Sequence, residues 1–373
     1  MTKIIISGGG TGGHVFPAIA IANAIRAKLA DADILFIGAR GKLEMEKVPA
    51  AGYRIEGLTI AGFQRNLSWK NLVFPFKLLG SMIRARKLVS GFGPDVVVGV
   101  GGYASGPVLR TAVAMKIPAL IQEQNSFPGI TNRMLAGKVQ KICVAYIGME
   151  KYFPKKKLVL TGNPIRQDLT GLIGKRHEAV DYFGLAENKT TILVIGGSLG
   201  AGTINQSVMQ CLISGNPGGS VQWLWQCGKY YYEKLREELS HAGISNERGD
   251  VKLQAFIDRM DLAYSAADVV ISRAGAIAIS ELCASGKPVI LIPSPNVAED
   301  HQTKNAMALV ENKAAMMVSD WDAKEKLGGT LTSLINDAPL QEELMRNIRA
   351  MAAPDAADRI ASEVLGLIKK VKE

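Results

Sequence analysis

The sequence predicts an α/β protein with two Rossmann-like domains, each built on a mostly parallel sheet. A strand, a glycine-rich turn and a helix follow one another twice, first from Lys3 and again from Thr191. Elsewhere short apolar runs alternate with helical periodicity, which indicates parallel sheets covered by helices. The 373 residues, 47% of them hydrophobic, suffice for two cores. We expect a ligand to bind between the carboxyl ends of the two sheets.

The first glycine turn carries the strongest local signal. Lys3–Ser7 predicts a buried strand, residues 18–30 predict a helix, and five glycines stand among residues 8–13 between them. Without Cβ atoms this backbone can bend sharply and present N–H groups to an anion at the positive end of the helix. No Gly-Lys-Ser/Thr follows, which disfavours nucleoside triphosphate chemistry. His14 stands at the mouth of the turn, and the alternative is a structural turn capped by this histidine.

The other elements continue the alternation. In the first half, strands are predicted at residues 33–38, 94–100, 118–122, 141–146 and 158–160, with a third glycine turn at residues 101–107 and a helix at 108–115. The turn at residues 161–164 marks the expected domain junction.

In the second half, a glycine turn at residues 196–202 precedes a helix at 204–213. Strands are predicted at residues 221–226, 251–256, 268–272 and 288–292, and helices at 277–284, 303–311, 322–337, 339–352 and 355–372.

Composition narrows the class of protein. The chain enters its first strand at Lys3 without an apolar leader, so no signal peptide is expected. No window of about eighteen uninterrupted apolar residues predicts a transmembrane span. The four cysteines are scattered without the close pairs of a zinc or redox motif, and we expect reduced core cysteines in a cytosolic protein.

Net charge is divided unevenly between the two halves. Residues 1–163 hold 22 Lys and Arg against 8 Asp and Glu, a net charge of +14, whereas residues 164–373 carry −4. This asymmetry predicts that the first half faces an anionic partner, either a membrane surface or a nucleic acid. No nucleic-acid-binding motif accompanies the charge, so the nucleic-acid interpretation is the weaker one.

A segment without acidic residues, residues 57–94, favours the membrane. Its basic residues alternate with aromatic and aliphatic ones at helical spacing, which is typical of an interfacial helix. The alternative is a helix whose apolar face packs on the core and whose basic face is solvated. The residues predicted to contact a membrane are Trp69, Lys70, Phe74, Phe76, Lys77, Arg84 and Lys87.

A dinucleotide-dependent dehydrogenase fits the sequence poorly. Such an enzyme needs an Asp or Glu after the second strand to hold the ribose hydroxyls. The first half has Gly38-Ala39-Arg40 there, and the second has residues 226–229, Gln-Cys-Gly-Lys.

The ordered motifs resemble those of the MurG family, the N-acetylglucosaminyltransferases of bacterial peptidoglycan synthesis. The matching blocks run in order from residue 3 to about residue 306, and so cover nearly the whole chain. They are residues 9–17 (GGTGGHVFP), 101–107 (GGYASGP), 123–125 (EQN), 162–166 (GNPIR), 196–201 (GGSLGA), 272–276 (SRAGA), 280–281 (SE) and 301–306 (HQTKNA). Departures such as Ala104 and Leu199 affect only loop shape.

The resemblance implies a GT-B architecture and a reaction. Residues 1–163 would form an acceptor- and membrane-facing domain and residues 164–354 a donor-binding domain, with a last helix, about residues 355–373, packing back on the first. N-acetylglucosamine would pass from UDP-N-acetylglucosamine (UDP-GlcNAc) to the C4 hydroxyl of the muramoyl sugar of lipid I, with inversion, giving lipid II. The protein would sit peripherally on the anionic cytoplasmic face of the plasma membrane. The diphosphate of lipid I would suit the first glycine turn.

The resemblance also implies roles for single residues. Glu281 would accept hydrogen bonds from the ribose hydroxyls, the Ile257 backbone would hold uracil, and the helix start at Ala276 would neutralise the leaving diphosphate. The complete donor set is Thr11, Gly12, Gly13, Asn125, Arg166, Ser198, Ile257, Ala276, Ile277, Ala278, Ile279, Ser280, Glu281 and Gln302. The acceptor set is Gly10, Thr11, His14, Tyr103 and Ser105.

Two candidates exist for the general base that takes the proton of the attacking hydroxyl. An imidazole titrates near neutral pH, and His14 stands beside the turn, so we expect His14 to be the base. Glu123 is the alternative.

No cofactor and no metal are predicted. Two Asp-x-Asp sequences, at Asp31 and Asp320, have the spacing that metal-dependent glycosyltransferases use. The first precedes a strand and the second begins a helix, so both are interpreted as solvated turns or caps. Two other functions remain open: another inverting glycosyltransferase on a lipid acceptor, and a non-catalytic nucleotide-sugar sensor.

Overall fold

The chain divides into two compact units. In the computed structural model, unit 1 comprises Met1–Ile165 and Ala353–Glu373, and unit 2 comprises Arg166–Ala352. The junction predicted at residues 163 and 164 lies close to this division. The residues described are 1–60, 74–165, 169, 171–172, 174–197, 199–215, 217, 221–245, 249–297 and 300–372, without the side chains of 74–78 and 369–372.

Unit 1 is built on a seven-stranded parallel sheet. Its order is β3-β2-β1-β4-β5-β6-β7, so the chain reverses direction across the sheet between β1 and β4. The strands are β1 (Lys3–Ser7), β2 (Asp33–Ala39), β3 (Arg54–Leu58), β4 (Val96–Gly99), β5 (Ala119–Glu123), β6 (Lys141–Val144) and β7 (Leu158–Leu160). Ligands of open parallel sheets bind outside the carboxyl ends of the strands at such a reversal, which here places the ends of β1 and β4 side by side.

Helices cover both faces of this sheet, because successive side chains of β1 point to opposite sides. Ile4 and Ile6 belong to one core, and Ile5 belongs to the other. The first core is closed by α1 (Gly12–Lys28), α2 (Glu44–Ala50) and α14 (Ala356–Lys372), and the second by α3 (Phe74–Phe92), α4 (Ser105–Ala114) and α5 (Ile130–Leu135). The last helix thus packs on α1, as the family resemblance implied.

Unit 2 repeats the plan with a six-stranded parallel sheet of order β10-β9-β8-β11-β12-β13. Its strands are β8 (Thr190–Ile195), β9 (Val221–Gln226), β10 (Val251–Gln254), β11 (Val269–Ser272), β12 (Val289–Leu291) and β13 (Met316–Met317). Its helices are α6 (Arg176–Phe183), α7 (Gly202–Ile213), α8 (Tyr232–His241), α9 (Met260–Ala266), α10 (Ala276–Ser285), α11 (His301–Val310), α12 (Ala323–Asn336) and α13 (Ala338–Ala350). The reversal lies between β8 and β11.

The predicted fold class is confirmed, and most predicted elements lie within a few residues of their observed bounds. Sequence reasoning missed β3, the two-residue strand β13 and several short helices, among them α2. The four cysteines are free and buried, as predicted. Burial raises the pKa of the Cys143 and Cys283 thiols to about 12, so both are protonated and unreactive at neutral pH.

Candidate active site

The glycine turn of unit 1 places His14 at the carboxyl end of β1. Gly9 and Gly10 adopt positive φ angles of 144° and 94°, which only glycine takes readily. Thr11 is the N-cap of α1, and His14 is the third residue of that helix. The Thr11 hydroxyl lies 3.3 Å from Nδ1 of His14. The imidazole is half-buried, and a residue of its own turn contacts it at Nδ1.

The loop after β4 supports this imidazole from the other side. A Cβ on Gly101 would lie 2.8 Å from both Cδ2 and Nε2 of His14, and a Cβ on Gly102 would overlap the carbonyl oxygen of Gly9. Both glycines have positive φ angles. The absence of two side chains therefore lets the loops after β1 and β4 touch through their backbones.

Two predicted acceptor residues follow, Tyr103 in this loop and Ser105 at the start of α4, and they differ in exposure. Tyr103 is 56% exposed, so its ring is accessible to a ligand. Ser105 is fully buried, and its hydroxyl donates a hydrogen bond to the Gly102 carbonyl at 2.9 Å. Ser105 stabilises the loop and does not present its hydroxyl on the surface.

Glu123 ends β5, and its carboxylate is occupied by the loop that follows. One oxygen accepts hydrogen bonds from the Asn125 backbone (3.0 Å) and side chain (3.3 Å), and the other from the Gly129 backbone (3.1 Å) and the Asn132 side chain (2.8 Å). Burial nevertheless raises the pKa of Glu123 above the usual range. Because its carboxylate binds these four N–H groups, Glu123, together with Asn125, fixes the conformation of the loop. A carboxylate occupied in this way is a poorer candidate for the general base than His14.

A buried amide network lies behind this loop, and sequence reasoning did not single it out. Gln122 donates to Asn163 (3.0 Å), Asn163 donates to the Gln124 carbonyl (2.9 Å), and Gln124 donates to the Val100 carbonyl (2.7 Å). The network joins β4, β5 and the residues after β7. A signal was available in the sequence, because Gln124 and Asn163 stand in two of the matching motif blocks, residues 123–125 and 162–166.

In unit 2, the glycine turn after β8 is fixed by the neighbouring loop after β9. A Cβ on Gly200 would overlap the Cys227 carbonyl oxygen, and a Cβ on Gly228 would overlap that of Leu199. Two predicted donor residues, Ser198 in this turn and Arg166 at the start of the unit, lie outside the described residues. The turn leads into α7, as the first glycine turn leads into α1.

The start of α10 has the geometry of an anion-binding helix N-terminus. Gly275 is its N-cap, and Ala276, Ile277 and Ala278 form a first turn without acidic side chains. The first N–H groups of a helix have no acceptor within the helix and carry partial positive charge. Of the other predicted donor residues there, Ile279 is buried, and Ser280 donates its hydroxyl to the Ala276 carbonyl at 3.1 Å.

Glu281 lies one turn further along α10. It follows Ile277 by four residues and Ala278 by three, so the three share one face of the helix. All three are half-buried, which leaves this face accessible beside the helix N-terminus. A carboxylate at this distance from an anion-binding end can reach the hydroxyl groups of a nucleoside diphosphate.

The loop between β11 and α10 is held by an ion pair that corrects one prediction. Asp320 was interpreted as part of a solvated turn, but it pairs with Arg273, and both side chains are less than 15% exposed. Asp320 also accepts a hydrogen bond from Thr203 at 2.9 Å, and Arg273 donates to the Ile292 carbonyl at 2.9 Å. The carboxylate thus links the start of α7 to Arg273 after β11, and Arg273 extends the link to the loop after β12, so the charge of Asp320 is already paired.

Two further amides hold this edge of unit 2. Gln226 accepts the Ile257 N–H at 2.9 Å and donates to the Gly197 carbonyl at 3.1 Å. The Ile257 N–H is therefore bound to a side chain. The Ile257 carbonyl oxygen is the backbone group of this residue that can contact a nucleobase. Gln302 accepts the Ser294 N–H at 2.9 Å, so its side-chain NH₂ group is the part that can reach a sugar.

The basic helix α3 uses one face for the core and exposes another. Ala85 and Val89 are buried against the sheet. Leu79 and Ile83, spaced four residues apart, are 60% and 64% exposed. The helix thus has an apolar side that packs on the core, as the alternative interpretation expects, and a separate exposed apolar pair at Leu79 and Ile83.

The predicted membrane residues of this helix are described only in part. Lys87 is exposed, as is its neighbour Arg86. Arg84 instead pairs with Glu56 at 3.0 Å and donates to the Gly57 carbonyl at 3.2 Å. Trp69 and Lys70 lie outside the described residues, as do the side chains of Phe74, Phe76 and Lys77. No helix in the described part of the chain has the length and hydropathy of a transmembrane span.

Comparison with known proteins identifies the family. Residues 4–144 match the glycosyltransferase family 28 N-terminal domain, and residues 191–360 match the glycosyltransferase family 28 C-terminal domain. A protein of Flavobacterium psychrophilum named UDP-N-acetylglucosamine--N-acetylmuramyl-(pentapeptide) pyrophosphoryl-undecaprenol N-acetylglucosamine transferase is 52% identical over 373 residues, 99% of each chain. The chain belongs to this transferase family. A protein of the same name from Parabacteroides distasonis is 53% identical over 369 residues, again 99% of each chain.

A solved structure agrees with this family assignment. The crystal structure of MurG from Acinetobacter baumannii matches with a TM-score of 0.79 and 26% identity, and the match covers 98% of this chain and 100% of that one. The fold is the GT-B fold of the MurG family. The motifs that suggested the resemblance are therefore those of a family 28 glycosyltransferase, and the dehydrogenase interpretation is excluded.

Proposed function

We propose that this protein transfers N-acetylglucosamine from UDP-GlcNAc to the C4 hydroxyl of the muramoyl sugar of lipid I, forming lipid II for peptidoglycan. The observation that carries the proposal is the 52% identity to transferases of this name over 99% of the chain. At that coverage the match extends over both units.

In this proposal UDP-GlcNAc is held by unit 2. The N-terminus of α10 faces the diphosphate, and Glu281 accepts hydrogen bonds from the ribose hydroxyls. The Ile257 carbonyl accepts the uracil N–H, while the NH₂ group of Gln302 reaches the sugar. Arg166 and Ser198 are assigned to the diphosphate by their motifs alone.

His14 of unit 1 acts as the general base. The C4 oxygen of the acceptor attacks C1 of N-acetylglucosamine while its proton passes to Nε2 of His14. The bond from C1 to the diphosphate oxygen breaks, and its electron pair leaves with UDP. Attack from the face opposite UDP inverts the configuration at C1. Thr11 supports this assignment, because its hydroxyl contacts Nδ1, and in the tautomer in which Nδ1 carries the hydrogen and donates to Thr11, Nε2 is the nitrogen that accepts a proton.

The leaving diphosphate gains negative charge, and we propose that protein dipoles and Arg166 stabilise it without a metal ion. Fixed N–H groups at the N-terminus of α10 are already aimed at one point, so they need no reorganisation during the reaction. Asp320, the best-placed acid of the two Asp-x-Asp sequences, is neutralised by Arg273.

We further propose that unit 1 docks on the anionic cytoplasmic face of the plasma membrane. The exposed pair Leu79 and Ile83 would enter the lipid interface, and Arg86 and Lys87 would approach the headgroups. This places the protein where a lipid-linked acceptor is found.

A turnover assay tests the function. Purified protein is incubated with radiolabelled UDP-GlcNAc and a lipid I analogue, with and without EDTA. We expect one disaccharide product that forms equally in EDTA, and little transfer from UDP-glucose or to a lipid diphosphate without the muramoyl sugar. UDP binding without turnover would support the sensor, transfer to a different lipid would support another glycosyltransferase, and loss of activity in EDTA with recovery in magnesium would reject the metal-free mechanism.

A further inference from the structure

Glu44, the first residue of α2, is a buried acid that the proposed reaction does not use. It is 1% exposed although its side chain is charged. One carboxylate oxygen accepts the Ala39 N–H at the end of β2, at 2.8 Å. The other accepts the Gly10 N–H in the glycine turn, also at 2.8 Å. Within the described residues, no ion pair is recorded for this carboxylate, so backbone N–H groups supply its partners.

The glycine turn is built around this carboxylate. A Cβ on Gly9 would overlap the Glu44 carboxylate, and a Cβ on Gly38 would lie within 2.5 Å of its Cγ. Glycine is therefore required at positions 9 and 38, near the ends of β1 and β2, to leave room for the side chain of Glu44. Gly9 also has a positive φ angle, which a residue with a side chain rarely adopts.

From the turn, the influence of Glu44 extends to His14 through direct contacts. Gly10 precedes Thr11, whose hydroxyl contacts Nδ1 of His14. Gly9 packs against Gly102, and the neighbouring Gly101 lies against the imidazole ring. Thr11 and Gly101, which both contact the ring, are thus connected to the backbone of Gly9 and Gly10, and Glu44 holds that backbone in place.

We infer that Glu44 is a positioning residue for His14, and that its carboxylate occupies the anion-binding place of the glycine turn. The Gly10 N–H, which we expected to face the diphosphate of lipid I, is already paired with the protein's own acid. This N–H is therefore not available to the diphosphate, and the part of the turn that Glu44 binds serves to aim the base. The inference rests on the proposed role of His14.

The test compares Glu44→Gln and Glu44→Asp with Glu46→Gln, a matched control that removes an exposed acid of the same helix. Glutamine keeps one acceptor but turns an NH₂ group toward a backbone N–H, and aspartate keeps the charge with a shorter reach. We expect Glu44→Gln to lower kcat by about tenfold to a hundredfold, the scale of a misplaced reacting group. The KM for UDP-GlcNAc should stay within about twofold, Glu44→Asp should recover part of kcat, and Glu46→Gln should match the parent protein.

A second readout does not depend on activity. The chain has four histidines, so their imidazole NMR signals can be assigned by single substitution. Glu44→Gln should move the signals of His14 and leave those of His177, His241 and His301 in place. Unchanged His14 signals would overturn the inference.

A double variant separates this inference from the assignment of the base. If Glu44 acts through His14, the variant with both His14→Ala and Glu44→Gln should lose no more turnover than His14→Ala alone. If the turnover of the double variant falls by the product of the losses of the two single variants, the inference is wrong. Full turnover of His14→Ala, with His14 signals displaced by Glu44→Gln, would contradict the base assignment but still support Glu44 as the residue that positions this ring.

Discussion

The imidazole of His14 lies against the Cα of Gly101, so that a Cβ at position 101 would come within 2.8 Å of Cδ2 and Nε2. His14 lies in the first turn of α1, which follows β1, and Gly101 lies in the loop after β4; the sheet order reverses between these two strands. The contact holds the proposed base at the carboxyl edge of the sheet, where open α/β sheets bind their ligands.

Gly101→Ala should displace the ring and lower kcat by at least about tenfold, because small shifts of a reacting group are costly. UDP binding, measured by calorimetry, should not change, since Ile257, Glu281 and the start of α10, which are proposed to hold the uridine and the diphosphate, lie in unit 2. Gly52→Ala is the matched control: Gly52 also has a positive φ angle, but no atom lies within 4 Å of its Cβ position. Equal losses of turnover in both variants would assign the effect to backbone strain.

Glu123 should make stability depend on pH in a recognisable way. Burial raises the pKa of Glu123 above its ordinary value of 4.5, so the folded protein holds this proton more tightly than the unfolded chain. The stabilisation is present at low pH and is lost as pH rises through the raised pKa. The Tm of Glu123→Gln minus that of the parent protein should therefore increase between pH 4 and pH 7. The exposed Glu150→Gln is the control, and a difference that does not change with pH would contradict the prediction.

Glu281→Ala should weaken UDP binding at least tenfold in calorimetry. Hydrogen bonds to a charged group contribute about 1.5–3 kcal/mol each, and about 1.4 kcal/mol corresponds to a factor of ten. Glu311→Ala, which removes an exposed acid of the same unit, should bind UDP normally. An unchanged dissociation constant for Glu281→Ala would remove this residue from the donor site.

Membrane docking should have an apolar and an electrostatic part. Leu79→Ser with Ile83→Ser should reduce flotation with anionic vesicles at every salt concentration. Arg86→Gln with Lys87→Gln should reduce it mainly at low salt, because salt screens surface charges and each such charge contributes about 1 kcal/mol.

The matched control for docking is Lys234→Gln with Arg236→Gln, which removes two exposed charges from α8 in unit 2. All three variants should bind UDP normally. Unchanged flotation of both α3 variants would move the docking surface to another part of the chain.

The glycine turns, the parallel sheets and α10 could be predicted because their signals are local. Glycine clusters, apolar runs and helical spacing lie within windows of ten to fifteen residues, and Glu281 follows its helix start within one such window. The motif at His14 is of the same kind. Predicting these features did not require knowing which distant segments of the chain contact one another in the fold.

The residues that hold the site together could not be predicted in this way, because their partners are distant in sequence. Glu44 binds Gly10 across 34 residues, and Arg273 pairs with Asp320 across 47. The short helix α2 was not predicted, so no position in the fold could be assigned to Glu44. Asp320 was assigned to solvent because nothing near it in sequence indicated Arg273.

The most direct test of the account is the turnover number of His14→Ala at saturating UDP-GlcNAc and lipid I analogue. We expect kcat to fall by about a hundredfold or more, the scale of general-base catalysis, with UDP affinity unchanged. His241→Ala, which removes an exposed histidine of unit 2, should keep full activity. A kcat of His14→Ala within about threefold of the parent value would contradict the assignment of His14 as the base and return Glu123 to consideration.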